Sequence, residues 1–193
     1  EGMNQMVVDV DRIFTGSGTP YKVFTYYYDR WRDQAHSLAR RSVEDLDLLD
    51  ELTGGDLPPV GDRVLDSLIA GYGTFDESGY ASGRDEPAAE ATSRVSALLA
   101  TGFLSPKRVL ADHGASEAYR RQIAWRDFYL MVLYHFPHVK ESAFNDRYND
   151  VKWWEDGELL EAWKMGRTGY PFVDAGMRQL LAEGYMHNRL RMV

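Results

Sequence analysis

The stretch AWKMGRTGYPFVDAGMRQLLAEGYMHNRLRMV, residues 162–193, contains the signals that decide the fold. Pro171 suits the first position of a helix, because the N–H that proline lacks would have no partner there. Apolar residues then recur with a period near 3.6, and Gly184 is placed to end the run. The stretch therefore predicts a helix from Pro171 to Gly184 and a second helix that begins near Tyr185.

The same stretch is basic although the protein is acidic. From residue 163 to residue 193 five basic side chains accompany two acidic ones, a net charge of +3, whereas the whole chain carries −8. A local positive surface on an acidic protein suggests an anionic partner. The alternative is a solvated basic face on an ordinary helical hairpin, and the sequence leaves both open. The two acids, Asp174 and Glu183, are expected to form salt bridges with the nearby arginines.

The composition is that of a globular protein. The 193 residues are 44% hydrophobic and 13% aromatic, enough for a core in one domain or one and a half. The absence of cysteine excludes disulfides and thiolate metal sites, and no histidine spacing indicates a metal. Without an 18-residue apolar run or a signal peptide, we expect a cytoplasmic protein with no membrane partner. We also expect a fragment of a larger protein, since both ends look cut.

Helical patterns dominate after the first 21 residues. Residues 6–10 predict a strand or extended piece, followed by a turn at Gly16 to Pro20. Residues 24–41 predict an amphipathic helix, and the acidic, Gly- and Pro-containing residues 42–59 predict a linker. Residues 74–91 are polar and predict an ordered loop. Further helices are predicted over residues 62–72, 94–101, 106–113, 117–136 and 158–165. The expected fold class is all-α.

Residues 92–96, with the sequence TSRVS, place three hydroxyls and a guanidinium where a loop turns into a helix. Hydroxyl groups and the free N–H groups at a helix N-terminus together favour a phosphate. The alternative is simple capping of the helix by Ser93.

The longest predicted helix places Gln122, Trp125, Arg126 and Tyr129 at spacings of three and four, so all four can share one face. A surface that is both polar and aromatic can stack on a base and hydrogen-bond its edge. The alternative is that Trp125 is a partly buried core residue.

Taken together, these segments resemble the DNA photolyase and cryptochrome family. The resemblance runs in order over nearly the whole chain. The segments that carry it are GTPYKVFT (18–25), RDEPA (84–88), TSRVS (92–96), WRDFY (125–129), GRTGYP (166–171) and HNRLRM (187–192).

The resemblance implies a helical FAD-binding domain preceded by the end of an α/β antenna domain. By that likeness, residues 1–59 are the end of the antenna domain and an interdomain linker with one helix, and residues 60–193 are the first part of the FAD-binding, DNA-binding domain. The antenna domain would hold a folate or deazaflavin chromophore. The implied flavin contacts are Tyr80, Thr92, Ser93, Arg94, Val95, Ser96, Asn188 and Arg191.

The resemblance also implies an activity, the light-driven repair of cyclobutane pyrimidine dimers in UV-damaged DNA by a monomer. Trp153 matches the outermost tryptophan of the chain that reduces the flavin, and Trp125 would be a stacking wall for the lesion. Asn188 and Gln122 would read the edge of the lesion. The implied DNA contacts are Arg84, Gln122, Trp125, Arg126, Asn188 and Met192.

One departure from the family pattern keeps alternatives open. Gln122 is closer to (6-4) photolyases and animal cryptochromes, whereas the pair His187 and Asn188 matches the dimer-repair enzymes, and we give Asn188 more weight. A cryptochrome-type blue-light photoreceptor is the second hypothesis. A helical DNA-binding or scaffold module without a cofactor is the third.

Overall fold

The computed structural model describes residues 5–39 and 69–193, and these residues fold almost entirely into helices and turns. Their β pairing is an isolated antiparallel bridge between Phe14 and Pro20. The all-α prediction is therefore confirmed. The α-helices with bounds among the described residues are α1 (Phe24–Ala39), α2 (Tyr80–Gly83), α3 (Ser96–Thr101), α4 (Pro106–His113), α5 (Glu117–His135), α6 (Gly157–Lys164) and α7 (Pro171–Glu183). Short 3-10 helices cover Val10–Arg12, Glu77–Gly79, Pro87–Ala89, Pro137–Lys140, Asp146–Tyr148 and Leu190–Met192.

Local capping signals explain why most helix boundaries were predicted within one or two residues. The side chain of Ser105 accepts from the amide of Lys107 at the start of α4, and that of Ser116 accepts from Tyr119 at the start of α5. Gly184 ends α7 in the left-handed conformation, with φ of 65°, which glycine adopts without steric cost.

Some predictions fall outside the described residues. These are the linker over residues 42–59, the domain boundary between residues 59 and 60, and most of the helix predicted over residues 62–72. The described end of that helix, residues 69–73, is helical.

The first compact unit comprises residues 5–39, 69–81 and 93–144. Its core forms where α1 packs against α5. Trp31, Tyr27 and Tyr28 of α1 are almost completely buried, as is Met131 of α5. The aromatic stripe that predicted an amphipathic α1 is thus the stripe that the helix buries.

Residues 6–10, predicted as a strand or an extended piece, do not form a strand. These residues are extended or turn-like and lead into the 3-10 helix at Val10. A side chain replaces the neighbouring strand, because the carboxylate of Asp127 accepts from the amides of Val7 and Val8 at 2.9 and 3.0 Å. The apolar side chains of this segment are buried in the core. The apolar run in the sequence is therefore explained by burial and does not require a sheet.

The second compact unit comprises residues 82–92 and 145–193. In it α7 packs against α6 and against the 3-10 helix at Leu190. A methyl group added to Gly176 would lie 3.0 Å from Cβ of Leu190, so the glycine permits this close approach.

Two further predictions are corrected. Residues 74–91 are not one loop, since they contain α2 and the 3-10 helices at Glu77 and Pro87. Nor does a helix begin near Tyr185, because side chains form hydrogen bonds with the backbone amides there. The amide of His187 donates to Oε1 of Gln179 at 3.1 Å, and Nδ1 of His187 accepts from the amide of Arg189 at 3.1 Å.

Candidate functional site

Ser93 lies in the first unit, where a tyrosine from α5 holds it. The hydroxyl of Tyr119 donates to Oγ of Ser93 at 2.8 Å, and both residues are buried. The ring of Tyr80 meets that of Tyr119 edge to face, with centroids 5.0 Å apart. Burial raises the pKa of Tyr119 to about 12, so it stays a hydrogen-bond donor near neutral pH. Tyr119 therefore brings together Tyr80 and Ser93, two of the predicted flavin contacts.

The prediction that Ser93 caps the following helix is wrong. The N-cap of α3 is Val95, which has no side-chain capping bond, and Ser93 contacts Tyr119 instead. Between them, Arg94 has φ of 52°. A non-glycine residue in this left-handed region costs about 1–2 kcal/mol, and such residues cluster at functional sites. Val95 is buried, whereas Ser96 is exposed at the start of α3.

Trp125 on α5 is the centre of an aromatic stack. Its ring lies 3.6 Å from that of Phe24 with an interplanar angle of 10°, and 5.4 Å from that of Tyr129 with an angle of 24°. Cζ of Arg121, one turn earlier on α5, lies 5.3 Å from the centroid of Phe24 and 4.5 Å from that of Tyr28. Trp125 is half-buried and packs against the core, as the alternative interpretation expected, but the face it shares remains polar and aromatic.

The polar members of this face differ in what they contact. Gln122 is half-buried, and its amide lies 3.5 Å from the carbonyl of Ala118, a long and weak hydrogen bond. The guanidinium of Arg126 donates to the carbonyls of Gln5 and Leu99. Arg126 thus ties the first described residues to α5, and its contact with DNA stays a prediction.

In the second unit, the RDEPA segment is joined to the HNRLRM segment by an ion pair. Nε of Arg189 donates to Oδ1 of Asp85 at 2.8 Å, and Nε of Arg84 approaches the same oxygen at 3.2 Å. The hydrogen bond from Arg189 is the largest of the effects that lower the pKa of Asp85. Two segments that the resemblance named separately are therefore one cluster, in which Asp85 holds Arg84 beside Arg189.

The remaining predicted residues of this unit lie along the 3-10 helix and its flanks. Nδ2 of Asn188 lies 3.7 Å from Sδ of Met192, and both residues are exposed. Nε of Arg191 donates to the carbonyl of Met186 at 2.9 Å. The hydroxyls of Thr92 and Tyr185 are 3.2 Å apart. Trp153 is 84% exposed, and its role as the outermost tryptophan stays a prediction.

Asp174 organises the GRTGYP turn before α7. Its carboxylate accepts from the amide and the hydroxyl of Thr168 at 2.8 and 2.7 Å, and from the amide of Gly169 at 3.1 Å. Arg178 donates to the carbonyl of Gly166 at 3.0 Å. The salt bridge predicted between Asp174 and an arginine is therefore wrong, and that of Glu183 stays a prediction. Asp174 is used by the turn, and Glu183 accepts from Gln179 at 3.4 Å.

Replacing Asp174 with alanine is expected to release this turn. The hydroxyl of Thr168, which donates to the carboxylate, holds the pKa of Asp174 below its ordinary value. The stabilisation is therefore present above the unfolded pKa and is lost as the pH falls through the folded pKa. Hydrogen exchange should show faster exchange at the amides of Thr168 and Gly169 in Asp174→Ala, and Asp174→Asn should retain part of the protection. Unchanged exchange at both amides in Asp174→Ala would contradict this account.

The sequence patterns missed several residues that order these clusters, chiefly Tyr119, Asp85 and Asp127. Asp127 is completely buried and accepts from Trp31 as well as from the two N-terminal amides. Its one sequence signal is an acidic residue on the apolar side of a helix, where a buried carboxylate requires partners. Among the described residues, no group of three or more His, Asp and Glu side chains could hold a metal ion. No helix in residues 5–39 or 69–193 has the length and apolar character needed to cross a membrane.

Comparison with known proteins identifies the family. Residues 119–193 match the FAD binding domain of DNA photolyase. The deoxyribodipyrimidine photo-lyase of Alkalihalophilus pseudofirmus is 35% identical over 97% of this chain and 44% of its own length. That of Escherichia coli is 34% identical over the whole chain and 47% of its own length. The chain thus spans somewhat less than half the length of these curated relatives.

Solved structures show the same fold. An archaeal photolyase from Sulfolobus tokodaii, described with two FAD molecules, matches 97% of this chain and 44% of its own with a TM-score of 0.69 and 24% identity. A cryptochrome from Synechocystis matches 65% of this chain and 29% of its own with a TM-score of 0.56 and 27% identity.

The helical fold and the match over residues 119–193 define the class of protein, a helical FAD-binding domain. Together with the relatives that align over nearly all of its residues, they show that the chain belongs to the DNA photolyase family.

Proposed function

We propose that the protein of which these residues form part is a light-dependent DNA repair enzyme that splits cyclobutane pyrimidine dimers. The observation that carries the proposal is the alignment of nearly the whole chain with deoxyribodipyrimidine photo-lyases. The pair His187 and Asn188 supports dimer repair over (6-4) repair, since it matches the dimer-repair enzymes.

The residues of the TSRVS segment fit the phosphates of FAD. Hydroxyl and guanidinium groups are the donors that phosphate oxygens require, and Thr92, Ser93, Arg94 and Ser96 supply them within five positions. The bond from Tyr119 fixes the position of the Ser93 hydroxyl. Asn188 and Arg191 are proposed as further contacts of the cofactor, with Tyr80 beside Tyr119.

When bound, reduced FAD supplies the electron that splits the lesion and accepts it back afterwards. The residues of this chain bind, orient and shield the lesion. Trp125 offers an indole to stack against an extruded pyrimidine dimer, while the amides of Gln122 and Asn188 have the donor and acceptor groups that a pyrimidine edge needs. Arg84 and Arg126 are proposed to contact the DNA backbone, and Trp153 to deliver electrons from the protein surface.

The test is repair of UV-damaged DNA by the full-length, flavin-loaded protein. Thymine absorbance should recover under blue light and not in the dark. Asn188→Ala should slow repair by about 5- to 30-fold if one or two hydrogen bonds to lesion or cofactor are lost. The matched control is Asn149→Ala, another exposed asparagine of the second unit, which should repair at the wild-type rate. Repair that does not depend on light, or no repair by flavin-loaded protein, would rule out the proposal.

A cryptochrome-type photoreceptor is the second candidate, favoured by Gln122 and by the structural match to the Synechocystis cryptochrome. The same experiment separates the two. Photoreduction of the flavin without turnover of either a dimer or a (6-4) lesion would favour the photoreceptor, whereas turnover of the (6-4) lesion alone would favour a (6-4) photolyase.

A further inference from the structure

The turn between α7 and the 3-10 helix at Leu190 presents Asn188 at the surface. Asn188 is exposed, whereas Met186 and His187, which precede it, are buried. The side-chain amide of Asn188 lies 3.7 Å from the sulfur of Met192, and a thioether sulfur is a weak acceptor. The position of this amide is therefore set chiefly by the backbone that carries it.

Hydrogen bonds fix that backbone on both sides of Asn188. The backbone amide of His187 donates to Oε1 of Gln179 on α7 at 3.1 Å. The backbone amide of Arg189 donates to Nδ1 of His187 at 3.1 Å. The carbonyl of His187 also accepts from the amide of Leu190 at 3.0 Å. Asn188 thus lies between two backbone amides whose acceptors are side chains, and the first of these acceptors belongs to Gln179.

The side-chain amide of Gln179 has one orientation that satisfies both of its ends. Oε1 accepts from the amide of His187, while Nε2 donates to a carboxylate oxygen of Glu183, one turn later on α7, at 3.4 Å. A flipped amide would place its NH₂ against an N–H group and its oxygen against a carboxylate. Glutamate would accept from His187 equally well, but its second oxygen would repel Glu183. This arrangement therefore requires an amide at position 179.

We infer that Gln179 is a positioning residue for Asn188, and that it acts through the backbone of the turn without touching lesion or cofactor. This role rests on the proposed function, in which Asn188 reads the edge of the dimer. It adds a residue that lies outside the segments that resemble the family. A group that is already held in place loses less freedom when its ligand binds, so the same hydrogen bond contributes more to affinity.

The experiment measures dark binding of the full-length, flavin-loaded protein to a short single strand with one thymine dimer and to the same strand without damage. Gln179→Ala should lower the preference for the dimer strand by about 2- to 10-fold, the range for the net loss of one hydrogen bond. A loss of overall stability alone would weaken binding to both strands alike. Glu183→Gln is the matched control and should keep the wild-type preference, because its amide oxygen can still accept from Nε2 of Gln179.

Two double variants test whether Gln179 acts through Asn188. In the Asn188→Ala background, Gln179→Ala should cause no further loss of preference, because the side chain that it positions is gone. Gln179→Glu alone should lower the preference, since two carboxylates then face each other. Gln179→Glu combined with Glu183→Gln should restore it, because this swap exchanges donor and acceptor and keeps an acceptor for the amide of His187.

Hydrogen exchange at the amide of Arg189 reports on the turn without DNA. Exchange should be faster in Gln179→Ala than in wild type and slow again in the swapped variant. An unchanged preference in Gln179→Ala, a further loss in the Asn188→Ala background, or no recovery in the swapped variant would overturn the positioning role and leave dimer repair standing. If wild type does not prefer the dimer strand, the proposed function falls, and exchange at Arg189 alone decides whether Gln179 positions the turn.

Discussion

Replacing Asp127 with alanine is expected to lower the free energy of unfolding by about 3–5 kcal/mol. Oδ2 of this carboxylate accepts from the amides of Val7 and Val8 and from Nε1 of Trp31 at 2.9 Å. Each buried donor left without a partner costs about 1–3 kcal/mol, and breaking a buried charged network costs about 3–5 kcal/mol. Alanine leaves all three donors without this acceptor, so residues 7 and 8 should also detach from α5.

Urea unfolding monitored by tryptophan fluorescence gives the measurement. Asp127→Asn should cost less than Asp127→Ala, because the amide oxygen can replace Oδ2 while its NH₂ occupies the place of Oδ1. That oxygen has no hydrogen-bond partner among the described residues. Asp33→Ala, at an exposed position of α1, is the matched control and should change stability by no more than about 0.5 kcal/mol. A loss below about 1 kcal/mol for Asp127→Ala would show that the three bonds contribute little net stability.

The pH dependence of stability provides a second measurement on Asp127. Burial raises the pKa of this carboxyl from 3.8 to about 6. Between these two values the folded state binds more protons than the unfolded state, so the contribution of Asp127 to stability falls as the pH rises from about 4 to about 6. One pKa unit corresponds to about 1.4 kcal/mol, so the fall is on the order of 3 kcal/mol. In Asp127→Asn this part of the pH dependence should disappear.

Asp127 also shows where sequence patterns stop being informative. Helices α4, α5 and α7 were predicted nearly to the residue, because Ser105, Ser116 and Gly184 act on backbone groups within a few positions. The bond between Val7 and Asp127 joins residues 120 positions apart, and no local pattern encodes it. The short apolar run of residues 6–10 therefore predicted a strand or extended piece, whereas the side chain of Asp127 supplies the hydrogen bonds that a neighbouring strand would supply.

In the candidate site, too, the sequence predicted residues within contiguous motifs but not their contacts with distant parts of the chain. The motifs identified Ser93 and Arg84 because they lie in contiguous segments that resemble the family. They did not identify the partners that hold these residues, namely Tyr119 and Asp85, because those contacts depend on how the helices pack. The predicted capping role of Ser93 was wrong for the same reason, because its contact with Tyr119 depends on how the helices pack. A serine before a helix is a capping signal by itself, and the buried hydroxyl of Tyr119 overrides it.

Replacing Trp125 with alanine is expected to reduce both stability and affinity for the lesion. The indole stacks on Phe24 at 3.6 Å and packs against the core while remaining half-buried. Replacing a fully buried tryptophan with alanine lowers the free energy of unfolding by about 3–5 kcal/mol. Because Trp125 is only half-buried, we expect a loss of about 2–3 kcal/mol. In a double-mutant cycle with Phe24→Ala, the two rings should show a coupling energy of about 0.5–1.5 kcal/mol. Dark affinity for a dimer-containing strand should fall roughly 5- to 150-fold through loss of base stacking.

Trp125→Phe separates the two roles that the sequence left open. A phenyl ring keeps most of the contact with Phe24, so most of the stability should return, while its smaller surface restores affinity for the dimer only in part. The control is Trp163→Ala, which removes an exposed tryptophan of α6 and should leave dimer affinity unchanged. If Trp125→Ala loses stability but binds the dimer as tightly as wild type does, Trp125 is a core residue. Its packing on Phe24 would then be its whole function, and the stacking surface for the lesion would have to be sought elsewhere on α5.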